Sequence, residues 1–455
     1  MPESITRYPI AALISDLAGI PLIDDPVSVK RRSRDFFWYS PVLQPQLQDK
    51  FADLVVCPRN EPDVIRIAAS CARHQIPITV RGAGTGNYGQ AVPLRGGIIM
   101  DMTALNAVER QGGGIVRVQP GLKMYELDRQ TKPNGFELRM HPSTKRSATI
   151  GGFIAGGSGG VGSVTYGGLR ERGNICAARI VTAESEPRIL ELRDDDVQMV
   201  NRAYGTTGII TCLEMPLAPA WPWVDLIIAF DDFLDAVRFG SEVALADGII
   251  KKLLSPITWP LPTYFGALRP YCPHGRSVLI VMVAQPSLAA LKAMLQRAGG
   301  EITYEAESNE TPGSTPLYEY TWNHTTLQVL KSDRSVTYLQ CLFPYDRLIS
   351  TLCDLQTRLG DEVLQHLEFI RFGGHVTASA LPIVRYTTTQ RLDEIIAIHE
   401  SHGVMVANPH VVTLEDGSRH KRADADQLRF KHDVDPFGLL NPGKMRSFVP
   451  AMSNG

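Results

Sequence analysis

The sequence predicts an α+β fold, and three observations carry that expectation. Residues 54–101 place one amphipathic helical pattern between short β-branched runs. Residues 149–168 hold nine glycines in twenty positions, where the chain-wide 39 in 455 would supply about two. Residues 224–402 alternate strand-like and helix-like segments, as an antiparallel sheet covered by helices on one face would. At 455 residues the chain is long enough for two or three domains with large cores.

Composition narrows the function classes. Hydrophobic residues make up 44% and charged residues 21%, with a formal net charge of -2, so nothing electrostatic argues for nucleic acid or an anionic membrane. No uncharged apolar run approaches the ~18–20 residues a bilayer span needs. The start, Met1-Pro2-Glu3-Ser4, lacks a basic region followed by an apolar run, so no signal peptide is expected. Seven cysteines are scattered without a CxxC pair, which reads as reduced thiols in the cytoplasm; a peripheral association with a membrane stays open.

In chain order, Lys30-Arg31-Arg32-Ser33-Arg34 reads as a solvated basic face and Asp35-Phe36-Phe37-Trp38-Tyr39 as an anchor. Leu54-Val55-Val56 is a strand stopped by Pro58. Asn60 caps a helix with Pro62 in its first turn, and Val64, Ile67, Ala68 and Cys71 recur at helical spacing. Residues 76–80 form a strand that runs into Arg81-Gly82-Ala83-Gly84-Thr85-Gly86-Asn87-Tyr88-Gly89-Gln90. Gly84–Gly89 fits G-x-G-x-x-G, but Pro93, Gly96 and Gly97 forbid the helix that a dinucleotide fingerprint must open. Ile98-Ile99-Met100-Asp101 then makes the loop a strand-to-strand connection. Its anion site would be a nest of backbone N–H groups. Further strands are expected at 114–118, 175–181, 188–192 and 208–215, with helices at 122–130 and 195–203. The glycine density of 81–89 and 149–168 costs backbone entropy, which a flat or charged ligand lying against the backbone would explain. Interleaved Ile150, Ile154 and Val161, with no Ser/Pro repeat, argue against a flexible linker. The two loops are expected to hold one dinucleotide between them.

These residues resemble the FAD-linked oxidases and dehydrogenases of the vanillyl-alcohol oxidase / p-cresol methylhydroxylase type. The resemblance rests on Cys57-Pro58-Arg59-Asn60-Glu61-Pro62-Asp63-Val64, on Arg81, Gly82, Gly84, Thr85 and Gly89, on Met100-Asp101-Met102 and on Pro142-Ser143. Ala148-Thr149-Ile150-Gly151-Gly152, Tyr166-Gly167 and the C-terminal Asp435-Pro436-Phe437-Gly438-Leu439-Leu440-Asn441-Pro442-Gly443-Lys444 complete it. It implies a PCMH-type FAD-binding domain of two α/β subdomains over residues 51–220, preceded by a lead-in at 1–50. A substrate-binding α+β cap would span 221–408, and a segment at 409–455 would return to the first domain. Implied FAD contacts are Arg81 to Asn87, Gln90, Pro142, Ser143, Thr149, Ile150, Gly151, Gly152, Ser158, Tyr166, Gly208, Ile209 and Ile210. Thr85 stands where many members carry a flavin-linked His, and no Cys lies between 142 and 175, so non-covalent FAD is expected.

With FAD as hydride acceptor, the protein must position a C–H bond and accept a proton. Three runs offer such groups: Asn323-His324 within Tyr318–Thr326; Arg371-Phe372-Gly373-Gly374-His375, whose alternation puts Arg371 and His375 on one strand face; and Asn408-Pro409-His410. Arg371 would pair with a substrate carboxylate. His399-Glu400-Ser401-His402 is one residue short of H-E-x-x-H, so no metal is expected. The expected activity is oxidation of a small hydroxylated molecule, an alcohol or 2-hydroxy acid, with oxygen, a quinone or a carrier protein as electron acceptor. A non-catalytic FAD-binding subunit is the alternative from another class, an NADPH-dependent reductase a third, and a homodimer is compatible with either of the first two.

Overall fold

A computed structural model describes residues 8–311, 313–417 and 425–450. The first sheet has the strand order Leu22–Ile23, Leu54–Val56, Ile98–Asp101, Ile78–Arg81, the last three parallel. Helix Glu61–His74 covers it. Asn60 accepts the Asp63 N–H at 2.8 Å, Pro62 lies in the first turn, and Val64, Ile67, Ala68 and Cys71 are buried at the predicted spacing. No helix intervenes between Ile78–Arg81 and Ile98–Asp101, so the first glycine loop is a strand-to-strand connection.

The second sheet is antiparallel, ordered Val108–Gly112, Ile115–Val118, Ile209–Pro219, Ala177–Val181, Ile189–Arg193, with Phe136–Leu138 on the far end of Ile209–Pro219. That long strand continues through Pro216 instead of closing there, since Leu217–Pro219 gains a new partner in Phe136–Leu138. Two expectations change. The 195–203 segment holds only a 3-10 turn, Asp194–Met199, and Arg202 and Tyr204 take positive φ (54° each), incompatible with helix. The second glycine segment, expected as a loop, opens with helix Ile150–Gly156 and adds the turn Ser163–Tyr166. Thr149 caps the first of these by accepting from Gly152 N–H at 3.3 Å, and Ile150, Phe153 and Ile154 bury one face. Packing therefore outweighs the poor helix propensity of glycine.

The remaining chain builds three antiparallel sheets, not one. The largest orders Lys251–Ile257, Ser277–Ala284, Trp223–Phe230, Glu301–Glu307. Its central strand Ser277–Ala284 is buried at all eight positions, which is why the sequence is a continuous apolar run. Each such Val, Ile or Leu contributes roughly 1.5–3 kcal/mol on burial. Helix Phe233–Leu245 sets its apolar stripe on this core and brings Gly240 so close to the Phe369 ring that a Cβ would overlap it. A second sheet orders Leu367–Phe372, His375–Ala380, Cys341–Leu342, Met405–Val406, and a third orders Val336–Tyr338, Ile383–Arg385, Val363–Leu364.

The C-terminal motif returns to the first sheet. Leu439 C=O accepts from Ile78 N–H at 2.8 Å and Asn441 N–H donates to Ile78 C=O at 2.7 Å. Asp435 accepts the Leu439 and Leu440 N–H groups and pairs with buried Lys431.

Candidate functional site

A cleft of about 870 Å³ separates the two glycine segments from the antiparallel sheets of residues 336–407. Two outside segments fix the first loop. Phe36 N–H donates to Gly86 C=O at 2.7 Å, and Arg81 Nη1 donates to Arg34 C=O at 2.7 Å. Asn441 Nδ2 donates to Gln90 C=O and Tyr204 C=O at 2.8 and 2.7 Å, and Lys444 Nζ donates to Gly89 C=O. Thus the C-terminal Asn-Pro-Gly-Lys pins the loop from behind. Residues Ala83 to Asn87 line the cleft, and their five consecutive backbone N–H groups have no acceptor among the described residues. Unpaired main-chain donors in a row are costly unless something anionic or water meets them. Across from them, a Cβ on Gly82 would overlap Thr149 Oγ1, so the two segments touch through a glycine.

The cleft is lined by Arg81 to Asn87, Gln90, Pro142, Ser143, Thr149, Gly151, Gly152, Ser158, Gly208 and Ile210, which the sequence assigned to one cofactor. Three assigned residues lie elsewhere. Ile150 is fully buried in the core under the Ile150–Gly156 helix. Ile209 points to the first sheet's core, because alternation along the strand sends only Gly208 and Ile210 to the cleft. Tyr166 lies under the Arg139 guanidinium, 5.4 Å from ring centroid to Cζ, outside the lining.

Of the proposed chemical groups, Asn323 and His324 line the cleft, at the start of helix Asn323–Leu330. Burial, and secondarily Lys331, lowers His324 to about 4. The other four do not line it. Leu367–Phe372 ends in a turn at Gly373 and Gly374 (φ 56° and 83°), so extrapolated alternation fails there. Arg371 is ion-paired with Asp247, and exposed His375 stacks on Tyr345 with ring centroids 3.8 Å apart. Asn408 and His410 face a separate hollow beside Thr389 and Asp393. His410 Nε2–H donates to Tyr338 C=O at 2.9 Å, since a carbonyl can only accept; Nδ1 then accepts from Ser40 Oγ–H at 2.7 Å. Both nitrogens are engaged, and burial holds the ring at about 4, so His410 is a neutral structural bridge and not a base.

That bridge predicts an acid sensitivity. A folded-state value of about 4 against 6.5 in the unfolded chain means that the unfolded state binds the extra proton, so stability falls as pH drops from about 6.5 towards 4. At pH 5 the loss from this residue is roughly 2 kcal/mol relative to pH 7.5. Urea unfolding of His410→Gln at the two pH values should show a slope shallower by about that amount.

Sequence reading missed several lining groups: Phe36, Tyr39, Arg202, Tyr204 and Gln340. It also missed a buried network behind Trp322. Glu368 Oε1 accepts from Trp322 N–H at 2.6 Å, from Ser255 Oγ–H at 3.1 Å and from His366 Nε2–H at 2.9 Å. Trp322 has φ 53°, an uncommon conformation for a bulky residue, and this carboxylate fixes it. The signal was present: His366 and Glu368 interrupt an apolar run two apart, hence on one strand face. His399 and His402 each bond back to their own helix, through Ile395 and Ile398 carbonyls at 2.8 Å.

The long cleft, the row of free N–H donors and the glycine contact suit a dinucleotide whose pyrophosphate lies against the first loop. Comparison with known proteins agrees. Residues 52–190 match the family described as FAD binding domain. The chain is 29% identical over 209 residues to glycolate oxidase subunit GlcD of Escherichia coli K12, covering 43% of this chain and 41% of that protein. It is 32% identical to a D-lactate dehydrogenase of Archaeoglobus fulgidus, over 45% of this chain and 47% of that one. It is 28% identical over 430 residues to mitochondrial D-2-hydroxyglutarate dehydrogenase of Rattus norvegicus, over 85% and 77%. The match thus spans about two-fifths of the length of the glycolate oxidase subunit. Two structures of alkyldihydroxyacetonephosphate synthase share the fold, with TM-scores of 0.70 and 0.72 at 16% identity, covering 93% and 96% of this chain and 82% and 86% of theirs. Residues 52–190 thus form an FAD-binding domain, and the cofactor is FAD.

Proposed function

We propose that this protein is an FAD-dependent oxidoreductase that oxidises a CH–OH group of a small molecule to a carbonyl. In this reading residues 51–220 hold the cofactor and residues 221–408 cap it. FAD, when bound, supplies the acceptor for the hydride that leaves carbon. The protein's tasks are to hold the substrate against the cap wall, exclude water and receive the hydroxyl proton. The single observation that carries the proposal is the continuity of one cleft from the N–H row at Ala83–Asn87 to Asn323 and His324. The names of the relatives, which include a glycolate oxidase subunit, a D-lactate dehydrogenase and a D-2-hydroxyglutarate dehydrogenase, support the reaction class.

His324 is the proposed proton acceptor. Burial keeps its ring neutral at pH 7, and its bond to the Glu319 carbonyl uses one N–H and leaves the other nitrogen's lone pair. FAD is held without a covalent bond, because Thr85 lines the first loop where a linking histidine would stand. Acid precipitation should therefore release free flavin into the supernatant. Anaerobic addition of hydroxyl compounds should bleach the bound flavin, and His324→Ala should slow bleaching by ~10²–10⁴-fold. A panel of alcohols, hydroxy acids and sugars that all leave the flavin oxidised would refute the proposal in favour of a non-catalytic FAD-binding subunit.

A further inference from the structure

Behind the cleft, the turn that leads into the second glycine segment is gripped by charges from the antiparallel half of the chain. Pro142, Ser143, Thr144, Ser147, Ala148 and Thr149 line the cleft, whereas Lys145 lies behind them and its side chain is 1% exposed. Lys145 Nζ pairs with Asp128 Oδ2 at 2.6 Å, on helix Met124–Thr131, and with Glu310 Oε1 at 2.7 Å. Glu310 follows strand Glu301–Glu307, and its other oxygen pairs with Lys132 Nζ at 2.7 Å. The next residue of the turn, Arg146, donates from Nη2 to Thr311 C=O at 3.2 Å and Ser314 Oγ at 3.1 Å, and its Nε pairs with Glu319 Oε1 at 3.2 Å. The turn is itself joined to helix Met124–Thr131. That helix has no side-chain cap, and its Met124 and Tyr125 N–H groups donate to the Ala148 and Lys145 carbonyls at 3.0 and 3.2 Å.

Burial opposes the charge on Glu310, yet Lys145 and Lys132 hold its carboxyl well below the ordinary carboxylate range. A buried ion pair adds little net stability over an apolar contact of the same size. What it fixes is register, because sliding the two surfaces leaves a buried charge without its partner. Here the register is between the turn that faces the cofactor and the segment 310–324. Glu319 holds Arg146 through its side chain, while its main-chain carbonyl bonds the His324 ring. Trp322, between the two, lines the cleft and sets its indole against Gly159.

We propose that Lys145 and Arg146, with Glu310 and Glu319, are positioning residues: an ionic latch that fixes where the Trp322–His324 wall stands relative to the cofactor turn. For the role of His324 this rests on the reading of the cleft as a site of flavin-linked CH–OH oxidation. None of the four is among the residues that line the cleft. Their effect reaches a ligand only through the groups they carry, the turn at Thr144–Thr149 on one side and Trp322, Asn323 and His324 on the other.

Lys145 is too deeply buried to replace without threatening the fold, so the test uses the part-exposed pair, Arg146 and Glu319, whose side chains are 30% and 23% exposed. Arg146→Gln, Glu319→Gln, the double variant and the charge-keeping Arg146→Lys are compared with the unmodified protein, all loaded with FAD. Amide hydrogen exchange is followed in peptides covering 317–330, with strand Ser277–Ala284 as the reference for global opening. Each Gln variant should speed exchange at 317–330 by at least ~3-fold and leave the reference strand unchanged, and the double variant should exceed the larger single by less than ~1.5-fold, since one pair is lost in all three. Arg146→Lys should restore most of the protection. With any hydroxyl compound that bleaches the unmodified flavin, the two Gln variants should slow saturated bleaching by ~10-fold or more, the cost of a displaced base. Exchange at 317–330 that is unchanged, or that rises only in step with the reference strand, overturns the latch, and so does undiminished bleaching. Selective exchange beside a flavin that no hydroxyl compound bleaches upholds the latch and refutes the oxidation reading. Bleaching by the unmodified protein beside unchanged exchange does the reverse.

Discussion

Glu368→Ala should lower the free energy of unfolding by about 3–5 kcal/mol, the cost of removing one partner from a buried polar pair. The carboxylate is 1% exposed, and three donors converge on its Oε1: Trp322 N–H, Ser255 Oγ–H and His366 Nε2–H. Alanine leaves Trp322 N–H without its acceptor and leaves His366 Nε2 and Ser255 Oγ only each other at 3.3 Å and, for the histidine, Thr325 Oγ1 at 3.2 Å, and a buried donor without an acceptor carries a desolvation penalty of about 1–3 kcal/mol. Glu368→Gln keeps an acceptor oxygen for Trp322 N–H and should recover part of the loss. Chemical denaturation monitored by circular dichroism measures the difference. The same carboxylate fixes Trp322 at φ 53°, and the indole borders Gly159 in the second glycine segment, so substrate affinity should fall in both variants even where the fold survives. A denaturation midpoint unchanged in Glu368→Ala would mean that the network carries no net stability.

Gly82→Ala should weaken FAD binding by roughly 5- to 150-fold, corresponding to the ~1–3 kcal/mol of an overpacked contact. A Cβ at this position would overlap Thr149 Oγ1, and that oxygen cannot swing away freely, because it accepts the Gly152 N–H that caps helix Ile150–Gly156. Either the cap is lost or the two glycine segments separate, and both displace the row of N–H donors at Ala83–Asn87 from the opposite wall. Gly266→Ala is the control: a Cβ there meets open space and the backbone is not left-handed. Quenching of free FAD fluorescence on titration reports both affinities. Equal affinity in Gly82→Ala and the control would show that the loops do not close on the cofactor together.

Local chemistry made much of this legible in advance. Asn60 and Pro62 announce helix Glu61–His74, and Pro93 with Gly96 and Gly97 excludes a helix after the first loop, because these rules act within a few residues. Helix Phe233–Leu245 and strand Ser277–Ala284 belong to the alternation expected over residues 224–402, since their periodicity directly reports burial. The misses share another cause. Helix Ile150–Gly156 contains three glycines and forms only because tertiary packing buries Ile150, Phe153 and Ile154. His375 left the site because two glycines turn the chain one residue before it, and His410 because Ser40 and Tyr338, distant in sequence, satisfy both nitrogens.

The sequence alone pointed to a dinucleotide, because glycine spacing and the forbidden helix leave a backbone cradle that one would fill, and the resemblance of its motifs to a known family named that dinucleotide as FAD; these are properties of short stretches. Tertiary structure decided which side chains face what remains of the cleft. That depends on strand alternation, on a hairpin turn at Gly373-Gly374, and on whether a distant partner such as Asp247 or Ser40 has already taken the functional group. The sequence lists the ionisable residues, but only those pairings in the fold reveal which of them face the cleft.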